Sequence, residues 1–127
     1  MRKIAFLFLG LGAGIAPMMA HHSAAAEYDI NKTVTLQGTI TKVEWMNPHI
    51  RFYVDVKNAD GKVANWEIES GGPGGFLRAG FTRNSLKPGD PVTVKGYPAK
   101  DGENLVDATD ITLVDGRKMS ASPSDGK

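Results

Sequence analysis

The feature that most constrains the fold is a one-residue slip in the alternating pattern of the first predicted strand. Val34 and Ile40 share one apolar face of this strand, whereas Val43 and Trp45 continue that face on the opposite parity. Side chains alternate between the two faces of a strand, so a slip of this kind needs one extra residue, as in a β-bulge. The slip at Lys42 therefore predicts a long, sharply bent first strand.

Four more strands and one short helical stretch are predicted after the bent strand. Alternating apolar and polar residues mark strands over 50–57 and 64–69, and one or two helical turns are expected over 76–80. A fourth strand begins near residue 91, and a fifth, with an irregularity near Thr109, covers 105–114. This order predicts an all-β fold, a small five-stranded OB-like barrel with a short helical connector between the third and fourth strands. A β-sandwich is the alternative, but five strands fill two sheets poorly.

The N-terminus is typical of a secretory signal peptide. Met1–Lys3 is basic, and residues 4–16 are apolar apart from glycines. This run is shorter than the roughly 20 residues that a spanning helix needs. We predict cleavage after Ala20, a mature chain that begins with His21, and a periplasmic location. Cleavage after Ala26 is the alternative, and it would remove the first two histidines.

The predicted organisation has four parts: a signal peptide at 1–20, an N-terminal lead-in at 21–33, the barrel at 34–116 and a flexible tail at 117–127. Removing Arg2 and Lys3 with the leader leaves 13 of the 15 basic residues against 14 acidic ones, a net charge of −1. Such a chain lacks the basic charge that binds phosphates, so we expect no nucleic-acid partner. No later segment is apolar for long enough to span a membrane. The absence of cysteine excludes disulfides and thiolate metal sites.

Three histidines form the candidate metal site. An N-terminal His21 offers its amine and a ring nitrogen, and His22 is adjacent. His49 follows the Asn47-Pro48 turn in the loop between the first two strands, where OB barrels often bind ligands. Nitrogen ligands without sulfur suit Cu(II), which also has the highest affinity in the divalent series. We therefore predict a copper site at His21, His22 and His49. The alternative is an exposed dipeptide and an ordinary loop histidine that donates to a backbone carbonyl.

The outward faces of the first strands hold the candidate small-molecule surface. Asn47, Arg51 and Tyr53 are its predicted residues, whereas Trp45 and Trp66 point inward by parity and are expected to pack in the core. Outward carboxylates are expected to form an ordinary solvated face: Glu44, Asp55, Glu67 and Glu69. The sequence contains no Ser-His-Asp arrangement with a supporting elbow motif, so we predict a binding protein rather than an enzyme.

A set of motifs distributed over residues 21–118 resembles a family of small exported bacterial proteins known as a domain of unknown function. The motifs are His21-His22-Ser23, Ala26-Glu27-Tyr28-Asp29, Val34-Thr35-Leu36-x-Gly38, Val43-Glu44-Trp45, Asn47-Pro48-His49, Leu86-Lys87-Pro88-Gly89-Asp90 and Asp115-Gly116-Arg117. The resemblance implies export and a His-His pair next to the leader. This chain departs from the family at Ala24, where an aromatic residue often follows the serine.

Two function classes follow from the sequence. The first is an exported, periplasmic OB-like protein that binds copper through the N-terminal and loop histidines. The second is a metal-free periplasmic interaction or envelope-stress domain that binds a protein or a small molecule.

Overall fold

The computed structural model describes residues 26–120. The predicted leader, His21, His22 and residues 121–127 therefore lie outside the described residues. The described elements, in chain order, are β1 (Val34–Glu44), β2 (Arg51–Lys57), β3 (Val63–Glu69), α1 (Pro73–Arg78), β4 (Pro91–Pro98), β5 (Leu105–Leu113) and β6 (Lys118–Ser120).

Five of these strands close into a barrel. β1 pairs antiparallel with both β2 and β4, β2 pairs with β3, and β4 pairs with β5. A parallel pairing of β3 with residues 105–107 of β5 closes the ring, and β6 pairs with residues 110–112 further along that same edge of β5. The short helix α1 connects β3 to β4. This architecture confirms the predicted OB-like barrel with its helical connector.

Two bulges bend the barrel strands, and both lie where the sequence predicts an irregularity. In β1, Ile40 pairs with Val54 and Lys42 pairs with Tyr53, so Thr41 is the extra residue. In β5, the register against β4 shifts on either side of Thr109. Each bulge increases the local twist, which helps a five-stranded sheet to close on itself.

The barrel core is made of the inward-facing apolar residues of all five strands, closed at one end by aromatic residues. Phe76 from α1 packs edge-on against Trp45, with ring centroids 5.6 Å apart, and also contacts Phe81. Trp45 and Trp66 are partly buried against this core, in agreement with their predicted inward orientation. The helix therefore acts as an apolar plug at the end of the barrel from which the loop between β1 and β2 emerges.

The strand β6 was not predicted. It lies within the stretch 117–127 that the sequence indicates is a flexible tail, and residues 121–127 of that stretch lie outside the described residues. A tight turn at Gly116, with φ of +88°, brings Lys118–Ser120 back along β5. Met119 is then buried against the barrel core. A polar segment with one apolar residue has too weak an alternation for a strand to be predicted from it.

The N-terminal segment before β1 lies along the end of β4. Tyr28 forms an isolated antiparallel bridge with Ala99, and the amide of Lys100 donates to the Glu27 carbonyl at 2.9 Å. The Tyr28 ring is buried against Ala99 and Leu105, with Tyr97 beside them. This docking carries the Tyr28 hydroxyl across the outside of the barrel to the end of β3.

Candidate functional site: a buried glutamate beside the histidine loop

Glu69, the last residue of β3, is the centre of a compact polar cluster. The Tyr28 hydroxyl donates a hydrogen bond to Glu69 Oε2, and both groups are buried. Glu69 is only 8% exposed, so the prediction that it lies on a solvated face is wrong. Its strand position does point outward, but the N-terminal segment covers it. We call Tyr28, His49, Arg51 and Glu69 the Glu69 cluster.

His49 contacts the same carboxylate from the loop between β1 and β2. Its Nδ1 lies 3.2 Å from Glu69 Oε1, and its side chain is 26% exposed. The partner is thus a carboxylate rather than the backbone carbonyl considered from the sequence. Because this contact occupies Nδ1, Nε2 is the ring nitrogen that remains for another partner.

The predicted ligand residue Arg51 joins the cluster through strand register. Arg51 and Glu69 are paired residues on β2 and β3, and Arg51 Nη2 lies 3.6 Å from Glu69 Oε1. Its Nη1 lies 3.8 Å from Glu67 Oε2. The guanidinium therefore bridges two carboxylates, and it is paired within the protein rather than presented unpaired to a ligand.

Tyr53, another predicted ligand residue, belongs to a second and more open network on the same outer face. Its hydroxyl donates to Glu44 Oε1 at 2.8 Å and lies 3.3 Å from Glu67 Oε1. The hydrogen bond to Glu44, together with partial burial and the nearby Glu67 charge, raises the pKa of Tyr53 to about 12. Lys42 Nζ lies 5.5 Å from the centre of the ring. We call Lys42, Glu44, Tyr53 and Glu67 the Tyr53 network.

Negative charge accumulates where the N-terminal segment leaves the barrel. Asp107 on β5 pairs in register with Glu69 and is 1% exposed. Burial and the negative charge of Glu69 raise the pKa of Glu27, and burial and the hydrogen bond to Glu69 raise the pKa of Tyr28. Neither Asp107 nor Tyr28 is predicted from the sequence to be a site residue. No local pattern marks them, because the parallel β3–β5 pairing and the docked segment create their environment.

A cleft of about 410 Å³ opens on the side of His49 that faces α1. Gly72 forms part of its base, where the two loops meet so closely that a Cβ there would lie 2.7 Å from the Pro48 carbonyl oxygen. The third predicted ligand residue, Asn47, is exposed at this junction. The cleft walls comprise Pro48, His49, Gly71, Gly72, Gly74, Gly75, Phe76, Arg78, Met119 and Ser120.

The structure thus brings His49, Arg51 and, through Glu67, Tyr53 onto one connected surface, with Asn47 beside the cleft. His21 and His22 lie outside the described residues. Between residues 26 and 120, no group of three or more histidine and acidic residues is arranged to hold a metal ion.

Comparison with known protein families gives one clear match. The model of a family of unknown function, DUF6152, matches residues 11–107. The chain belongs to this family. Membership confirms the resemblance inferred from the motifs, and it assigns no activity. No curated protein matches the chain.

Solved structures similar to this chain include two of TiaS. One is the ZRD-deleted mutant of TiaS in complex with agmatine, with a TM-score of 0.49 and 20% identity over 68% of this chain and 22% of that chain. The other is a complex of TiaS with tRNA and ATP, with a TM-score of 0.47 and 21% identity over 68% of this chain and 19% of that chain. This chain spans about a fifth of TiaS. In the part of the chain that the structure describes, no helix has both the length and the apolar character to cross a bilayer.

Proposed function

We propose that this protein is exported to the periplasm, where it binds one copper ion through His21, His22 and His49. The observation that carries the proposal is the contact of His49 Nδ1 with Glu69, 3.2 Å away, in a cluster that also holds the N-terminal segment through Tyr28. Export is supported by the basic start and short apolar run of residues 1–20.

The 3.2 Å distance from His49 Nδ1 to Glu69 Oε1 places a carboxylate where it can support a metal-binding histidine. In such sites the imidazole donates one N–H to a carboxylate, which orients the ring and makes the other nitrogen a better ligand. Here Glu69 holds Nδ1, so His49 would bind the metal through Nε2. Arg51, 3.6 Å from the same carboxylate oxygen, restrains the carboxylate from the neighbouring strand.

The docking of Tyr28 supports a role for the N-terminal histidines at the same place. His22 precedes Tyr28 by six residues, and an extended chain spans about 3.3–3.6 Å per residue, so both histidines can reach His49. The buried carboxylates Glu69 and Asp107, with Glu27 nearby, add negative charge that favours a cation. The free amine and ring of His21 would chelate the ion, and His49 would complete the set.

The copper titration of the mature protein tests this proposal. Intact mass first establishes whether the chain begins at His21, and Cu(II) affinity is then measured by competition with a chelator of known affinity. Placing one glycine before His21 should weaken binding by at least about tenfold, and His49→Ala should do the same. Because ligation needs neutral imidazoles, affinity should also fall below about pH 6.5, the ordinary pKa of histidine.

A matched pair of variants separates a specific site from a flexible chelate. Glu69→Gln, which removes the carboxylate behind His49, should reduce affinity by about tenfold or more. Glu67→Gln, which alters a carboxylate of the neighbouring Tyr53 network, should change the copper affinity by less than about twofold. Unchanged affinity in both the glycine-extended protein and His49→Ala would refute the copper site, as would a mature chain that begins at Glu27.

A further inference from the structure

The cleft between the His49 loop and α1 combines apolar walls with two basic side chains. Pro48 is the exposed apolar residue of its lining, Phe76 and Met119 beside it are 0% and 5% exposed, and His49 and Arg78 supply its basic groups. Among its described lining residues there is no aspartate or glutamate. A volume of about 410 Å³ is within the usual range of small-molecule sites, about 300–1,000 Å³.

The exposed Arg78 side chain lies beside Gly74 and Gly75 at the rim of the cleft. A Cβ at Gly74 would lie 3.3 Å from Arg78 Nη1, and one at Gly75 would lie 3.9 Å from Nη2. The guanidinium therefore lies back along α1 beside Gly74, where a Cβ would require a small shift, whereas a Cβ at Gly75 would meet it at ordinary contact distance. It makes no ion pair with any residue between 26 and 120.

Two other arginines of the described chain are paired with acidic residues. Arg51 is bracketed by Glu67 and Glu69, and Arg117 bonds to Asp115 at 2.8 Å. Arg78 has no acidic partner within the described chain, a property that it shares with the exposed Arg83, and of these two only Arg78 lines the cleft beside His49. A guanidinium in this state presents a planar fork of donors that fits a carboxylate through two parallel hydrogen bonds.

We propose that this cleft binds a small organic carboxylate, with the carboxylate on Arg78 and its apolar body against Pro48 and the exposed edge of Met119. The apolar walls favour this class of ligand over a bare inorganic anion, which would leave them uncovered. His49 borders the opposite wall and contributes a polar edge. The site shares His49 with the proposed copper site but requires neither His21 nor His22, so it can be tested with metal removed.

Benzoate is a suitable probe because it joins a carboxylate to a compact apolar body, and benzamide is its uncharged analogue. Each is titrated into the mature chain in the presence of EDTA, so the outcome does not depend on the copper proposal. The amide resonances of Gly71, Gly72, Gly74 and Gly75 report on the cleft in two-dimensional NMR, and those of Gly61 and Gly89 serve as distant controls. Arg78→Gln is compared with Arg83→Gln, which alters an exposed arginine that does not line the cleft.

We expect saturable benzoate shifts confined to the four cleft glycines and binding that is weaker by about tenfold for benzamide and for Arg78→Gln. Arg83→Gln should bind benzoate within about twofold of the unmodified chain. Equal affinity for benzoate and benzamide, absence of saturable shifts, or an unchanged affinity in Arg78→Gln would each overturn the proposal. Tighter binding of inorganic phosphate than of benzoate would overturn the assignment to an organic carboxylate.

Discussion

The Glu69 cluster and the Tyr53 network use the same chemistry in two different environments. In each, a tyrosine hydroxyl donates to a glutamate on the outer face of the barrel, and a basic side chain lies nearby. The N-terminal segment covers Glu69, whereas Glu67 keeps a side chain that is 32% exposed. The two regions therefore differ in whether the N-terminal segment covers the glutamate. A buried polar group that loses a hydrogen-bond partner reduces the free energy of unfolding much more than an exposed one does.

The same contrast extends to the two tyrosines. Tyr28 is almost fully buried, and burial is the main cause of its raised pKa. For Tyr53 the hydrogen bond to Glu44 is the largest cause of the raised pKa, because its ring is only partly covered. The Glu69 cluster thus has the character of a rigid structural element, and the Tyr53 network that of an adjustable surface.

Removal of the two glutamate charges should give the largest difference between these regions. We expect Glu69→Gln to reduce the free energy of unfolding by about 2–4 kcal/mol, because His49 and Arg51 lose a buried anion. Glu67→Gln should cost less than about 1 kcal/mol, since water can replace its contacts. Urea unfolding with EDTA present measures both, and equal losses would contradict the distinction.

Removal of the two hydroxyl groups should give a smaller effect in the same direction. Tyr28→Phe leaves Glu69 Oε2 buried without its donor, so we expect a loss of about 1–3 kcal/mol. Tyr53→Phe should cost about 0.5–1 kcal/mol. The two substitutions delete the same atom, so a larger loss for Tyr53→Phe in urea unfolding would show that covering is not the controlling variable.

Alkaline titration should give the finest distinction. The pKa of Tyr53 rises from an ordinary 10.0 to about 12, so its protonated form is the one that folding stabilises. This contribution is complete below the unfolded pKa and is lost as pH rises through the folded one. The phenolate absorbance that disappears in Tyr53→Phe should therefore titrate near pH 12. Half-ionisation of Tyr53 near its ordinary pKa of 10.0 would contradict the hydrogen-bonded geometry.

Fold class and bulge positions were readable from the sequence because they depend on local alternation. A slip of one residue at Lys42 can be accommodated within one strand only by an extra residue, and Thr41 is that residue. The irregularity at Thr109 follows in the same way. The strand β6 was not predicted because a three-residue strand with one buried methionine is too short to show an alternating pattern.

Only part of the candidate site could be predicted from the sequence. The sequence singled out His49, Arg51 and Tyr53 from their residue types and their place at the first loop and strand of the barrel. Their partners could not be found that way, since Tyr28 and Glu69 are 41 residues apart and meet only through the docked segment. The cleft beside Arg78 likewise depends on a long-range approach, because Gly72, just before α1, lies so close to Pro48 in the loop between β1 and β2 that no side chain would fit there.

By itself, the sequence determined the alternating strands, the bent first strand, the short connector and the position of the histidine loop. Each of these follows from the spacing of neighbouring residues along the chain. Only the tertiary structure decided that Glu69 is buried, that His49 faces it through Nδ1, and that Arg78 lines a cleft. The reason is physical: outward strand positions are solvated by default, and burial there depends on which distant segment folds over them.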